Sequence, residues 1–239
     1  MKKIALIPAR YGATRFPAKL MQLIGNKTVI QHTYESTITT KLFDDVIVVT
    51  DSEMIFHEVL EFKGKAILSK GTHESGSDRI AEAVNALDVD IVINVQGDTP
   101  FISKEPLEKL LSQFKDSKVK VASIMKEISK DEVSNPNFVK VVVDKNFNAL
   151  LFSRSIIPYT REKSCKTRFY KHIGVYGYRK QTLLSFTNLE QTPLEIAEKI
   201  ESLRYLENGI PIRMSLVDYN GIEIDTPEDL QKAIKFFNN

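Results

Sequence analysis

Cysteine is almost missing from this chain of 239 residues. Cys165 is the only one, so no intrachain disulfide can form. Its polar surroundings between Arg161 and Arg168 suit an incidental surface thiol better than a nucleophile. Histidine is scarce too, and His32, His57, His73 and His172 show no spacing that would make a zinc site. No apolar run approaches the ~18 residues of a membrane span. Met1-Lys2-Lys3-Ile4 leads into a short strand and a polar loop, without the long apolar region or cleavage site of a signal peptide. A cytoplasmic location is therefore expected, with no membrane partner. Charge of one sign is also lacking: 33 basic and 31 acidic residues leave a net +2, with no basic block of five or more. Binding to nucleic acid by counterion release needs a basic stripe, so no nucleic-acid partner is expected. The P-loop pattern G-x-x-x-x-G-K-[ST], the dinucleotide pattern G-x-G-x-x-G and the G-x-S-x-G elbow are all absent.

What is present has the composition of a soluble globular protein, 42% hydrophobic and 27% charged. At this length one large domain buries on the order of 70% of its unfolded surface. Apolar runs at residues 4–7, 46–49, 66–68, 91–95 and 119–125 alternate with amphipathic segments at 29–38, 54–62, 79–87 and 106–114. Strand–helix alternation at these lengths predicts an α/β fold with a mostly parallel sheet covered by helices on both faces. The pattern changes after Ser129. Runs at 139–143 and 149–152, separated by Lys145-Asn146-Phe147-Asn148, suit an antiparallel hairpin with asparagines at the strained turn positions. A further strand is expected over 172–178, helices over 180–187 and 194–207, and a strand over 212–217. Thr226-Pro227 with Asp229 makes a good start for a final helix: a capping hydroxyl, a proline at the first position and an acid in the first turn. No repeat, low-complexity tract or linker is visible. The chain reads as a single domain over 1–239, with 1–128 the alternating part, 129–218 a mixed extension and 219–239 an aspartate and the last helix.

The chemistry concentrates at a few places. Residues 7–19, IPARYGATRFPAK, put Arg10, Arg15 and Lys19 in a loop of small residues directly after the first strand. Small side chains let backbone N–H groups approach a ligand, and three cations suit a polyanion; a plain basic surface loop would look the same. Asp98 follows the fourth strand in Gln96-Gly97-Asp98-Thr99-Pro100, where ligands sit in open α/β sheets. It suits either Mg²⁺, which wants one or two carboxylates beside phosphate oxygens and water, or an ordinary turn. Asp225 precedes the last helix; Thr226 can cap that helix alone, which leaves Asp225 for another task. Residues 71–79 open a helix, where hydroxyls, glycine amides and Arg79 can read a base or ribose, or Ser77 can simply cap. His172, Gly174 and Tyr176 share one face of a strand by the two-residue period, though a lone histidine there is usually structural. Glu195, Glu198 and Glu201 fall three apart on a helix, which is usually a solvated face.

In order along almost the whole chain, IPARYGATRFPAK, VVTD, THESGSDRIAEA, NVQGDTPFI, NPNFVKVVVD, LLFSRSIIPY, KHIGVYGYR, LRYLENG and IDTPEDL closely resemble the 3-deoxy-manno-octulosonate cytidylyltransferases. That resemblance implies a Rossmann-like nucleotidyltransferase sheet with a smaller antiparallel extension, in a cytoplasmic, generally homodimeric enzyme. It implies the joining of CTP to 3-deoxy-D-manno-octulosonate (KDO), giving CMP-KDO and pyrophosphate for lipopolysaccharide assembly. It implies Mg²⁺ as cofactor, with Asp98 and Asp225 as ligands. Arg10 and Lys19 would meet the triphosphate, with Arg15 near the reacting groups, and Ser75, Gly76 and Arg79 would hold the nucleoside. Gln96, Arg154, His172, Tyr176, Glu198 and Glu201 would surround the sugar. Arg10, Lys19, Asp98 and Asp225 are the implied catalytic set. Thr99 and Ala18 stand where the family often has glutamate and glycine. The competing readings are a relative acting on another acidic sugar, a glycosyltransferase with a similar sheet, which would normally carry a local Asp-x-Asp, and a non-catalytic nucleotide-binding protein.

Overall fold

The computed structural model describes residues 1–12, 16–71, 76–162 and 164–238. In chain order the elements begin with β1 (Lys3–Ala9), β2 (Leu23–Ile24), β3 (Lys27–Thr28), α1 (Val29–Thr39), β4 (Asp45–Thr50) and α2 (Glu53–Glu61). Next come β5 (Ala66–Leu68), α3 (Gly76–Asn85), β6 (Ile91–Asn94), α4 (Lys104–Ser112), β7 (Val121–Ile128), β8 (Lys140–Val143) and β9 (Ala149–Ser153). The chain ends with β10 (Phe169–Arg179), α5 (Lys180–Phe186), α6 (Pro193–Glu198), α7 (Ser202–Glu207), β11 (Ile212–Leu216) and α8 (Pro227–Phe237). It divides into two compact units, Met1–Leu107 with Asn220–Asn239, and Glu108–Tyr219.

The first unit is the expected parallel α/β layer. Four strands lie in the order β6-β1-β4-β5, every pairing parallel. Ile4 to Ile7 and Val92 to Ile93 are buried, which is why these strands read as unbroken apolar runs. α1, α2 and α3 pack against them. Helix starts follow local chemistry: the Thr28 and Ser52 side chains accept from Gln31 N and Ile55 N at the first turns of α1 and α2. The chain runs from β1 out to β4 and β5, then returns to β6 on the other side of β1. That reversal opens a crevice beyond the carboxyl ends of β1 and β6. β2 and β3 form a separate two-stranded antiparallel ribbon.

The second unit is mixed. β11 pairs parallel with β7, whereas β7–β10, β10–β8 and β8–β9 are antiparallel. The β8–β9 hairpin forms as its spacing predicts, but its strained position is Phe147 (φ 62°) and not an asparagine. Asp144 explains this: its carboxylate accepts from Asn146 N and Asn148 N, both at 2.8 Å, and from the Asn148 side chain at 3.0 Å. With both asparagines held by Asp144, the left-handed residue falls between them.

The helix expected over 194–207 is two helices. Lys199 adopts a left-handed conformation (φ 54°) and closes α6. The break lets α6 and α7 share a buried ion pair: Arg204 Nε donates to Glu195 Oε2 at 2.7 Å and Nη2 donates to Oε1 at 2.5 Å. Glu195, Glu198 and Glu201 therefore do not form one solvated line. α7 ends as expected at Asn208, followed by Gly209 with φ 70°, a conformation that costs a glycine nothing.

Candidate active site

A cavity of about 260 Å³ occupies the crevice of the first unit. Pro8, Ala9 and Arg10 enter it from the end of β1, and Gln96, Gly97 and Asp98 from beyond β6. Lys19, Gly76 and Arg79 complete much of the lining. The two strand ends come this close because residue 97 has no side chain. A Cβ there would lie 3.0 Å from the Pro8 carbonyl oxygen and 3.2 Å from Leu20 Cδ1. The Gly97 carbonyl is held in turn by the Thr33 hydroxyl of α1 at 2.8 Å.

Lys19 opens a short 3₁₀ turn, Lys19–Met21, just after Ala18, whose φ of 53° is left-handed. Its ammonium donates to Asp98 Oδ2 and, at 3.1 Å, to Asp225 Oδ1. The second contact joins residues 206 positions apart in sequence. A main-chain bond makes the meeting possible: Ile224 N donates to the Asp98 carbonyl at 3.0 Å, laying the segment before α8 beside the end of β6. Thr226 and Asp229 form the capping box of α8, so Asp225 is not needed as the cap. Burial alone would pull the Lys19 pKa down, but Asp98 and Asp225 outweigh it and the net shift is upward. Lys19 is thus a fixed cation between two carboxylates.

Arg79 lies on the same cavity but is buried and engaged: it donates to Asp51 Oδ2 at 2.7 Å and to Ser69 Oγ at 3.2 Å. Those two partners were not singled out from the sequence. Asp51 closes the segment VVTD as the first residue beyond β4, and its position at a strand's carboxyl end was the available signal. Gly76 begins α3 within 3.3 Å of Pro8 Cγ for any added Cβ. Gln96 donates to Asn94 Oδ1 at 3.3 Å. Arg15 and Ser75 lie outside the described residues.

The other sugar candidates belong to the second unit and form two groups. Arg154 and Glu198 are knotted together: Glu198 accepts from Ser153 Oγ at 2.5 Å and Arg154 N at 2.9 Å, while Arg154 Nε donates to the Glu198 carbonyl at 2.9 Å. Burial raises the Glu198 pKa, and the Ser153 hydroxyl and Arg154 outweigh it, so the net shift is downward. Beneath them Lys140, fully buried, gives its ammonium to the carbonyls of Asn135, Phe138 and Arg154. Nothing in the sequence marked this lysine except its place in the apolar run of β8.

His172 and Tyr176 form the second group, their rings 5.2 Å apart on β10. A bulge separates them between Ile173 and Tyr176, so the simple two-residue period fails here. The Ser123 hydroxyl donates to the Val175 carbonyl at 2.8 Å, and its oxygen lies 3.0 Å from His172 Nε2. Burial, with Lys171 adding to it, pushes the His172 pKa down to about 3. Burial pushes the Tyr176 phenol up, opposed by Ser202 and reinforced by Glu201 at the start of α7.

The chain matches the cytidylyltransferase family over residues 4–216. It is 60% identical over 237 residues to a 3-deoxy-manno-octulosonate cytidylyltransferase of Flavobacterium johnsoniae, covering 98% of this chain and 97% of that one. A protein of the same name from Christiangramia forsetii is 51% identical over 239 residues, covering 98% and 96%. Among solved structures, a CMP:2-keto-3-deoxy-manno-octonic acid synthetase complexed with CTP superposes with a TM-score of 0.96 at 40% identity, over 100% of this chain and 99% of that one. With full-length identity at this level and the fold shared throughout, this chain belongs to the 3-deoxy-manno-octulosonate cytidylyltransferase family.

Proposed function

We propose that this protein transfers the cytidylyl group of CTP to the anomeric hydroxyl of KDO, giving CMP-KDO and pyrophosphate for lipopolysaccharide assembly. The observation that carries this reading is that Lys19, which lines the cavity with Arg10, Arg79 and Asp98, holds both Asp98 and Asp225, in a chain of this family. In the reaction a bond forms between the sugar hydroxyl oxygen and the α-phosphorus. The bond from that phosphorus to the oxygen bridging to the β-phosphorus breaks, pyrophosphate leaves, and the hydroxyl proton passes to solvent. Such transfer needs positioning and charge neutralisation more than covalent help. Arg10 and Lys19 supply fixed positive charge for the triphosphate, most useful where charge builds on the leaving pyrophosphate. Arg79, held by Asp51 and Ser69, is a rigid wall for the nucleoside beside Gly76.

Asp98 and Asp225 fit Mg²⁺. Both carboxylates already converge on one cation, the Lys19 ammonium. Among the described residues no group of three or more His, Cys, Asp or Glu side chains is placed to hold a metal by itself. Two carboxylates suit an ion whose remaining ligands are phosphate oxygens and water. Bound there, Mg²⁺ would supply charge neutralisation on the phosphates.

Within the second unit, Arg154, His172, Tyr176, Glu198 and Glu201 are our candidates for the sugar. His172 serves it only as a neutral group, given its low pKa. We further infer a cytoplasmic homodimer. Among the described residues no helix is long and apolar enough to cross a membrane. Ile156, Tyr159, Leu194 and Ile196 of the second unit expose large apolar side chains of the kind a second copy would cover. The test of the activity is pyrophosphate release from CTP with KDO, beside UTP, ATP and a neutral aldose. Release with CTP and KDO is expected. Efficient use of the neutral aldose would overturn the assignment to KDO, because buried donors for a sugar carboxylate would then be unpaired at no cost.

A further inference from the structure

Lys19 has two claims on its ammonium. The proposed reaction uses it against a triphosphate, while the structure places it on Asp98 Oδ2 and Asp225 Oδ1. It therefore takes one oxygen from each carboxylate assigned to the divalent ion. An ion on the remaining oxygens of the same two side chains would sit within a few ångströms of the ammonium and be repelled by it. The repulsion is poorly screened, because the Lys19 side chain is only 14% exposed and that of Asp98 only 22%. A lysine on these aspartates and a divalent ion on these aspartates are competing arrangements.

We propose that Lys19 sets the order of binding: it holds Asp98 and Asp225 against divalent cations until a triphosphate draws the ammonium away. This rests on the assignment of Asp98 and Asp225 as the ion's ligands. The geometry suits the exchange. Lys19 lines the cavity together with Arg10, so a polyanion there offers the ammonium a second set of acceptors. The lysine stem is four carbons long and can re-aim its ammonium when a polyanion competes for it, whereas the two aspartates are held by the main-chain bond from Ile224 N to the Asp98 carbonyl. One side chain moves and the carboxylate pair stays assembled. Nucleotide and ion then bind with positive coupling, each strengthening the other by the same factor. The aspartates are kept from loading an ion without the substrate it serves.

The test is Mn²⁺ binding to the full-length protein, followed by electron paramagnetic resonance without nucleotide. Lys19→Met removes the charge and cannot ligate the ion; it should bind Mn²⁺ more tightly than the parent, by a factor in the usual coupling range of roughly 5- to 150-fold. Lys19→Arg keeps the charge and should bind as weakly as the parent. Adding Asp98→Asn to Lys19→Met should abolish the gain. Should Lys19→Met fail to fold, Lys19→Gln carries the same comparison. Equal and tight binding by parent and Lys19→Met would overturn the ordering role while leaving the aspartates as ion ligands. A gain that survives Asp98→Asn would place the ion elsewhere and overturn the proposal. Binding to none of the four proteins would remove the ordering role together with the ion assignment.

Discussion

At His172 a side chain that would gain a proton near pH 6.5 in water is kept neutral down to about pH 3 by burial under Phe152 and Tyr176. Between those two values the unfolded chain binds a proton that the folded chain refuses. Stability therefore falls as the pH drops below about 6.5, with a limiting slope of about 1.4 kcal/mol per pH unit from this one group. Denaturant titrations from neutral pH to about pH 4.5 should show His172→Gln losing stability less steeply than the parent. Identical slopes would mean that the imidazole takes up its proton in the folded state. The sequence offered His172 as either a structural histidine or a sugar contact. What it could not show is Ser123, on a different strand, whose hydroxyl oxygen lies 3.0 Å from His172 Nε2.

At the scale of elements, the break between α6 and α7 shows where periodicity stops being informative. The spacing of Glu195, Glu198 and Glu201 suited one continuous helix, and only the three-dimensional position of Arg204 made a turn at Lys199 worth its backbone cost. Both partners of that pair are nearly inaccessible, at 6% and 7% side-chain exposure, and Arg204 also lies over the Phe186 ring, 4.5 Å away. Removing one charge leaves the other buried without its counter-charge. Glu195→Gln should therefore cost about 3–5 kcal/mol in urea unfolding. A cost under about 1 kcal/mol, as for surface pairs, would show that water reaches the guanidinium. Elsewhere local chemistry was more legible, as where Thr226-Pro227 supplies the cap and the first-turn proline of α8.

At the scale of the whole molecule, the chain's first and last elements close one site. Asp98 and Asp225 meet through Lys19, so their effects should not multiply. Asp98→Asn and Asp225→Asn are each expected to lower turnover by roughly 10²-fold or more. The double variant should cost little beyond either single change, since residues acting as a unit are non-additive. Initial rates across Mg²⁺ concentration, with circular dichroism to confirm folding, measure this. Independent, multiplying losses with unchanged Mg²⁺ dependence would return both residues to local turn and cap roles.

The sequence by itself determined the α/β class and the order of the strands in the chain, because these depend on local spacing, and it marked the basic stretch after β1 and the two aspartates as candidates with more than one use. Tertiary structure decided which charges meet. The reversal of strand order at β1 opens the crevice, Gly97 lets β1 and β6 close on it, and the bond from Ile224 N to the Asp98 carbonyl delivers Asp225. It also decided that Arg79 is held by Asp51 and that Lys19 lies on carboxylates. Charge pairing acts over a few ångströms whatever the separation along the chain, so no window on the sequence contains both partners.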